Sequence, residues 1–380
     1  MPAEAIITNA ILVLPDRVLH GTLVIRHGRI AEVQPGRSAA PGAIDLGGDH
    51  LIPGIVDVHT DNLERQVQPR ANARWPSRSA MLAHDQQTAA AGVTTVLDAL
   101  CLGDLGFDQG RNQTFEDGVR DLDALAGTGL LKSEHFLHLR CELPAADMPA
   151  ALEGVADHKR VRMVSLMDHS PGVGQYRDLD RYRAMRVKQT RMTKAEVADR
   201  IASLLAQRDR LRETQRRWLL DRLAHRDLPL ASHDDDDAEE VARNAVDGIR
   251  ISEFPVTMAA ARAALALGVP VIAGAPNIVR GGSHSGNVAA ADLVRAGAVD
   301  TLASDYVPAA LVEAAWHCAA ETGITLPEAV AMITDRPARM ARLADRGRLE
   351  AGLRADLVRL RPHEGLPVVR TVWRAGERVS

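Results

Sequence analysis

The stretch Pro53-Gly54-Ile55-Val56-Asp57-Val58-His59-Thr60-Asp61-Asn62 decides the fold. Its short β-branched run reads as a buried strand. The run ends abruptly in groups that bind metals or move protons. His59 and Asp61 lie two residues apart, so on a strand both side chains face the same way. That is a ready pair of ligands for a divalent cation. It is also what the C-terminal mouth of the first strand of a (β/α)8 barrel presents. A polar turn after a strand would look the same in isolation, but strands further along the chain end the same way.

Working outward, eight strands can be placed: Ile55–His59, Thr94–Ala99, Phe136–Glu142, Val161–Asp168, Leu228–His233, Ile249–Phe254, Pro270–Gly274 and Asp300–Asp305. Most are followed by an Ala-rich or charged segment of helical period. This alternation predicts an α/β fold, a TIM-like (β/α)8 barrel. A doubly wound open sheet is disfavoured, because polar groups end nearly every strand instead of clustering at one switch point. The two ends of the chain look alike. Residues 5–35 and 347–380 both alternate short apolar segments with turn signals, which predicts a small β-sandwich built from both termini. The expected division is 1–50 for the first part of the sandwich, 51–340 for the barrel and 341–380 for the rest. The connection from Ser170 to Arg226 is far too long for an ordinary crossover. It holds Arg181, Arg183, Arg186 and Lys188, then a long polar helix from Lys194 to Leu223. A lid and a support for a dimer are both open readings of this insertion.

Composition narrows the function. The 380 residues are 46% hydrophobic and 25% charged with a net charge of −4, so no global basic field attracts nucleic acid. Aromatics are 3%, too few for base-stacking platforms. The three cysteines, Cys101, Cys141 and Cys318, are sparse and odd in number, which fits a reduced cytoplasm. The apolar start carries Glu4 and runs into Pro15-Asp16-Arg17, so it reads as a strand and not a signal peptide. Nothing approaches the length a membrane span needs. A cytoplasmic enzyme acting on a small molecule is the expectation.

Read in order, the strand ends carry His59 and Asp61, Asp98, then His138, Arg140 and Glu142 on one face, Asp168 and His169, His233 and Asp234, Glu253, and Asp305. Together they ring one mouth with imidazoles and carboxylates, the ligand set of zinc, manganese or iron. Crowded carboxylates need cations beside them. His59, Asp61, Glu142, His233 and Asp305 are the candidate ligands, with His59, Asp61 and Asp305 also placed for catalysis. Asp168, Asp234 and Glu253 are candidates for the same centre or its support. A second constellation, Gly274 to Asn287, follows the seventh strand, where barrels commonly bind phosphate. Its glycines let backbone N–H groups approach an anion, and Arg280, Ser283, His284 and Asn287 add polar contacts. Arg70, in a basic loop after the first strand, and His169 are further candidates for substrate contact. The run Asp234-Asp235-Asp236-Asp237 reads mostly as a helix N-terminus.

The layout is similar to the amidohydrolase superfamily: Pro53-Gly54 through His59, a late strand ending in Ser304-Asp305, and a closing Gly347-Arg348-Leu349 through Asp356-Leu357-Val358. That superfamily commonly carries His-x-His on strand one; here the second position is Asp61. A closer match explains it. His59-Thr60-Asp61-Asn62-Leu63, His84-Asp85, Asp98-Ala99, His138 through Leu143, Leu166 through Gly172, Ala231 through Asp235, Glu253-Phe254-Pro255 and Gly274 through Asn287 resemble the PhnM family of the carbon–phosphorus lyase pathway. The resemblance runs essentially end to end, less clearly over residues 100–130 and in the part of the insertion beyond Tyr182, and that family itself carries the aspartate. It implies metal-dependent hydrolysis of a ribose 1-alkylphosphonate 5-triphosphate to the 5-phosphate and pyrophosphate. It implies one or two divalent ions (zinc first, with manganese, iron or magnesium as others); Asp305, by its position on strand eight, would act as general base or orient the attacking water. Glu142 also resembles the strand-three glutamate ligand of the acetylglucosamine-phosphate deacetylase branch. A homo-oligomer is a family-level expectation. A metal-dependent deaminase or amide hydrolase on the same barrel is one alternative, and a non-catalytic partner of the carbon–phosphorus lyase machinery another.

Overall fold

The computed structural model describes residues 4–70, 73–106, 110–190, 192–283 and 286–380. The chain opens with five strands: β1 (Glu4–Val13), β2 (Val18–Arg26), β3 (Arg29–Pro35), β4 (Ile44–Asp45) and β5 (His50–Pro53). Eight strands follow, each separated from the next by helical or loop connections: β6 (Ile55–Thr60), β7 (Val93–Leu102), β8 (Glu134–Glu142), β9 (Val161–Met167), β10 (Leu230–His233), β11 (Ile251–Glu253), β12 (Val271–Gly274) and β13 (Thr301–Ala303). The chain ends with β14 (Leu357–His363), β15 (Leu366–Arg374) and β16 (Glu377–Arg378).

β6 to β13 form one parallel sheet in sequence order. Every residue of β6 and β7 is buried, as expected of parallel strands covered on both faces. Backbone contacts between the first and last strands draw the sheet into a barrel. Thr60 bridges Asp305, the Asp61 N–H donates to the Asp305 carbonyl (2.6 Å), and the Asp305 N–H donates to the His59 carbonyl (3.1 Å). Asp57 reinforces the seam inside the wall, accepting the backbone N–H groups of His59 (3.3 Å) and Ser304 (3.1 Å). Inward side chains Val56, Val58, Leu97, Met163, Ile251 and Ile272 fill the interior. Ala338, Ala341 and Leu343, on and just after the helix Asp335–Met340, join the same cluster. The barrel strands fall where the sequence places them.

β1 to β5 and β14 to β16 make the other sheet, in the order β16-β15-β14-β5-β1-β2-β3 with β4 beside β1. The expected sandwich therefore takes the form of one hydrogen-bonded sheet from both chain ends. The sheet bends back on itself. Ile30 N–H donates to the Leu353 carbonyl (2.8 Å) and Ala355 N–H to the Gly28 carbonyl (2.9 Å), closing over Ile7, Leu12, Leu23, Leu51, Leu357 and Trp373. Gly54 joins the two sheets. A Cβ there would lie 2.3 Å from Thr94 Oγ1 and 2.7 Å from Asp356 Cβ, so glycine alone permits this approach.

The insertion is helical, with helices Leu179–Gln189 and Lys194–Leu223. The long helix starts at a capping box: Glu196 N–H donates to Thr193 Oγ1 and Thr193 N–H donates back to Glu196. Its Leu204, Leu219 and Leu223 pack with the β8 and β9 side of the barrel. Its Val197 and Ile201 pack on Tyr182 of the shorter helix.

Candidate metal centre at the barrel mouth

Three strand ends stop at residues with left-handed backbone: Asp234 (φ 61°) after β10, Phe254 (φ 54°) after β11 and Asp305 (φ 55°) after β13. Such non-glycine conformations are costly and gather at functional sites. Here they turn the chain sharply at the rim, so the last residues of neighbouring strands converge.

Glu253 organises the convergence. Its fully buried carboxylate lies 2.8 Å from His59 Nδ1 and 2.7 Å from His233 Nδ1, and accepts from Ser165 Oγ at 2.8 Å. Burial opposes its ionisation, but the His59 and His138 rings hold it well below the usual carboxylate range. An ionised carboxylate only accepts, so both rings donate from Nδ1 and turn Nε2 towards the mouth. Glu142 repeats the device. One oxygen accepts the His169 backbone N–H (2.8 Å) and the other faces His169 Nδ1 (2.7 Å). A carboxylate behind each imidazole is how metal-binding histidines are oriented.

The atoms turned towards the mouth form two adjacent groups. In one, His59, Asp61 and Asp305 bring ligand atoms within 4.8 Å of one another; in the other, His169, His233 and Asp234 do so. The His59 and His233 rings stack at 5.9 Å, and His169 meets His233 edge-on at 5.4 Å. His59 Nε2, His169 Nε2 and Asp234 Oδ2 are buried with no hydrogen-bond partner among the described residues. Buried polar atoms without partners are costly, and a cation in each group would satisfy the orphaned atoms there. The donor set fits a divalent metal.

The electrostatics agree. Burial would lower the His59 imidazole, but Glu253 outweighs it and raises it to about 10, so the position favours positive charge. Burial would raise Asp61, but Arg140 and then His59 hold it well below the ordinary carboxylate value. Burial and the Asp61 carboxylate push Asp305 up to about 7. The mouth thus pairs a firmly ionised carboxylate with one that can carry a proton near neutrality.

A cavity of about 260 Å³ opens beside this centre, bounded by His59, Asp61, His233, Asp234 and Asp305 on one side and by Arg280, Ser283 and Asn287 on the other. Asn277 holds the loop in place, accepting from the Ala290 N–H (2.9 Å) and donating to the Val288 carbonyl (3.4 Å).

No family model matches the chain. It is 40% identical over 376 residues to alpha-D-ribose 1-methylphosphonate 5-triphosphate diphosphatase of Escherichia coli K12, covering 98% of this chain and all of that one. The chain belongs to the PhnM family of diphosphatases. Solved structures share the fold at lower identity. A point mutant of N-acetyl-D-glucosamine-6-phosphate deacetylase from Mycobacterium smegmatis superposes with TM-score 0.65 at 18% identity over 99% of both chains. Molinate hydrolase gives 0.65 at 13% identity, over 99% of this chain and 94% of that one. The N-isopropylammelide isopropylaminohydrolase of Burkholderia multivorans gives 0.60 at 19%, over 99% and 98%.

Against the residues expected of a PhnM-family site, the structure is selective. It brings together His59, Asp61, His233, Asp234 and Asp305, with Glu253 behind them. Glu142, expected as a ligand, faces His169, one oxygen accepting its backbone N–H (2.8 Å) and the other lying 2.7 Å from its Nδ1. His169, expected at the substrate, sits with the candidate ligands. Asp168 faces away: one oxygen takes Arg208 Nε (2.7 Å) and Arg212 Nε (3.0 Å), and the other accepts the Ser170 N–H (3.2 Å). Arg70 is exposed in its loop and borders neither cavity at the mouth. His284 lies outside the described residues. The PhnM-family reading passed over Arg140 as a site residue, although its two-residue spacing from His138 and Glu142 was visible. It is buried and paired with Asp61. Gln175, which also lines the cavity, carried no sequence signal.

Proposed function

We propose that this protein hydrolyses α-D-ribose 1-methylphosphonate 5-triphosphate, or an analogue with another alkyl group, to the 5-phosphate and pyrophosphate. The observation that carries the reading is the paired set of ligand groups at the rim, each imidazole backed by a buried carboxylate, beside a cavity edged by Arg280. Family membership supplies the substrate. His59, Asp61 and Asp305 would hold one divalent ion, and His169, His233 and Asp234 give room for a second. Zinc suits an imidazole–carboxylate set, with manganese, iron and magnesium as competitors. When bound, such an ion supplies a water nucleophile at neutral pH and offsets charge on the departing polyphosphate.

The chain's own residues supply the rest. Asp305, at the end of the last barrel strand beside His59 and Asp61, is placed to accept the proton of the attacking water. Arg140, held by Asp61, and Arg280 present guanidiniums to the phosphate oxygens, where phosphoryl transfer needs positioned positive charge. Three buried free cysteines fit a reducing, cytoplasmic setting. Among the described residues no helix is long and apolar enough to cross a membrane.

The test is turnover of the ribose triphosphate phosphonate with pyrophosphate detection, with and without a chelator. Chelator-sensitive release of pyrophosphate is expected. Asp305→Asn and His59→Ala should lower kcat by roughly a thousandfold or more while the fold persists. Chelator-resistant turnover, or ammonia release from an amide or nucleobase with no pyrophosphate from the triphosphate, would overturn the reading. Oxygen-18 water locates the attack: label in the 5-phosphate means the α phosphorus, label in pyrophosphate the β.

A further inference from the structure

We infer that a second, arginine-lined pocket on the far side of Asp61 binds the pyrophosphate half of the triphosphate, and that the helical insertion completes it. This rests on the hydrolase reading above and adds which end of the substrate goes where.

Two cavities meet at the candidate metal centre, and Asp61, Arg140 and Gln175 line both. They differ in chemistry. The larger, about 260 Å³, offers Arg280, Ser283 and Asn287 together with apolar Phe254, Pro255 and Val288. Beyond the shared Arg140, one guanidinium, a hydroxyl, an amide and an apolar wall suit sugar hydroxyls and a phosphonate bearing an alkyl group. The smaller, about 170 Å³, places Arg111, Arg140 and Arg186 around a space that also meets His169 and Tyr176. Among the described residues its one lining carboxylate is Asp61. Guanidinium forks match phosphate oxygens two at a time. The pyrophosphate half concentrates most of the substrate's charge in the smallest volume, and the smaller pocket concentrates most of the cations.

The three arginines come from three separate elements. Arg140 stands on β8. Arg111 is the first residue of the helix Arg111–Leu125, whose opening turn carries no acidic residue, so its backbone N–H groups add partial positive charge at that end. Arg186 comes from the insertion helix Leu179–Gln189. Its guanidinium lies 5.0 Å from the Tyr182 ring centroid and 5.8 Å from that of Tyr176. Tyr182 is buried against Val197 and Ile201 of the long helix, so the ring beneath Arg186 is fixed by the insertion's own core. A cation held over aromatic faces is pre-positioned. With the scissile P–O bond at the shared rim, the sugar 5-phosphate lies in one cavity and the pyrophosphate in the other.

The experiment is calorimetric titration of the metal-loaded protein with inorganic pyrophosphate and, separately, with ribose 1-methylphosphonate 5-phosphate. Wild type is compared with Arg111→Gln, Arg186→Gln and Arg280→Gln. The Arg111 and Arg186 variants should each weaken pyrophosphate by about tenfold or more and change the sugar phosphate by less than about twofold. The Arg280 variant should do the reverse. All variants keep the metal-holding groups, so chelation by pyrophosphate is common to every titration. Arg111 lies on a barrel helix, so its variant tests the pocket even if Arg186→Gln loosens the insertion. Unchanged pyrophosphate affinity in both variants, with normal turnover in wild type, would overturn the pocket assignment and leave the diphosphatase reading intact. Loss of pyrophosphate binding in both, with no wild-type turnover of the ribose triphosphate, would uphold the pocket and overturn the substrate.

Discussion

Glu253 has three polar side-chain partners and no exposure to solvent. Replacing it by glutamine keeps the shape but turns one oxygen into a donor. One partner, His59 or His233, must then accept at Nδ1 and so carry its hydrogen on Nε2, where it cannot ligate. Glu253→Gln should therefore lower metal affinity by about 10- to 100-fold. Metal content after dialysis against a fixed free concentration measures it, and wild-type retention would show that Glu253 does not set the tautomers. At this scale the sequence told which residue types gather but not which atom each one turns inward. Glu142 and His169 illustrate the limit. Both sit at strand ends with ligand chemistry, and only the structure shows the 2.7 Å contact that joins them. Arg140 was legible as one of three same-face residues on its strand. Its pairing with Asp61, which joins neighbouring segments of the rim across the mouth, was not.

Among the elements, the insertion is held to the barrel by Asp168, which joins the end of β9 to Arg208 and Arg212 of the long helix. Asp168→Ala frees both guanidiniums, which can still reach water, so the loss should be about 1 kcal/mol or less and local. Residues 192–195 should become more sensitive to protease, and KM for the triphosphate should rise several-fold because Arg186 rides on the same insertion. Metal content should stay at the wild-type level; a metal-depleted variant would mean that Asp168 ligates after all. The elements themselves were highly legible. The helix Lys194–Leu223 begins at a capping box whose Thr193 and Glu196 are plain in the sequence. All eight barrel strands were visible as short apolar runs, nearly every one ending in polar groups. Their ends were less so: Phe254 and Asp305 extend the apolar or polar pattern of their strands, yet both adopt left-handed backbone and stop them early. A strand pattern carries no mark of the φ at which it ends.

Across the whole molecule, a second imidazole–carboxylate network lies in the barrel wall and differs from the mouth in one respect. Its ring nitrogens are all engaged: His84 with Asn62 (2.9 Å) and Asp98 (2.7 Å), His135 with Asp98 (2.8 Å) and Asp85 (3.1 Å). No lone pair is left for a cation, so the network acts through stability. It fastens the helix Ser77–Ala90 to β7 and β8. Asp85 also accepts the Lys132 and Ser133 N–H groups, and Lys132 Nζ reaches the Val379 carbonyl (2.9 Å) in the sheet built from the chain ends. Burial would lower His135, but Asp98 and Asp85 outweigh it and raise it from 6.5 to about 9. The fold therefore binds a proton that the unfolded chain releases near 6.5. The stabilisation is whole below about pH 6.5 and is lost as pH rises through about 9, an amount on the order of 3 kcal/mol. Asp98, held well below its ordinary value by the same rings, reports the same interaction from the other side and adds nothing further at alkaline pH. The thermal midpoint should fall between pH 6.5 and 9 while the His135 ring resonances, followed by NMR, titrate near the upper end of that window. A His135 titration close to 6.5, or a thermal midpoint that stays flat between pH 6.5 and 9, would mean that the fold does not hold this proton and that the network adds no alkaline-sensitive stability.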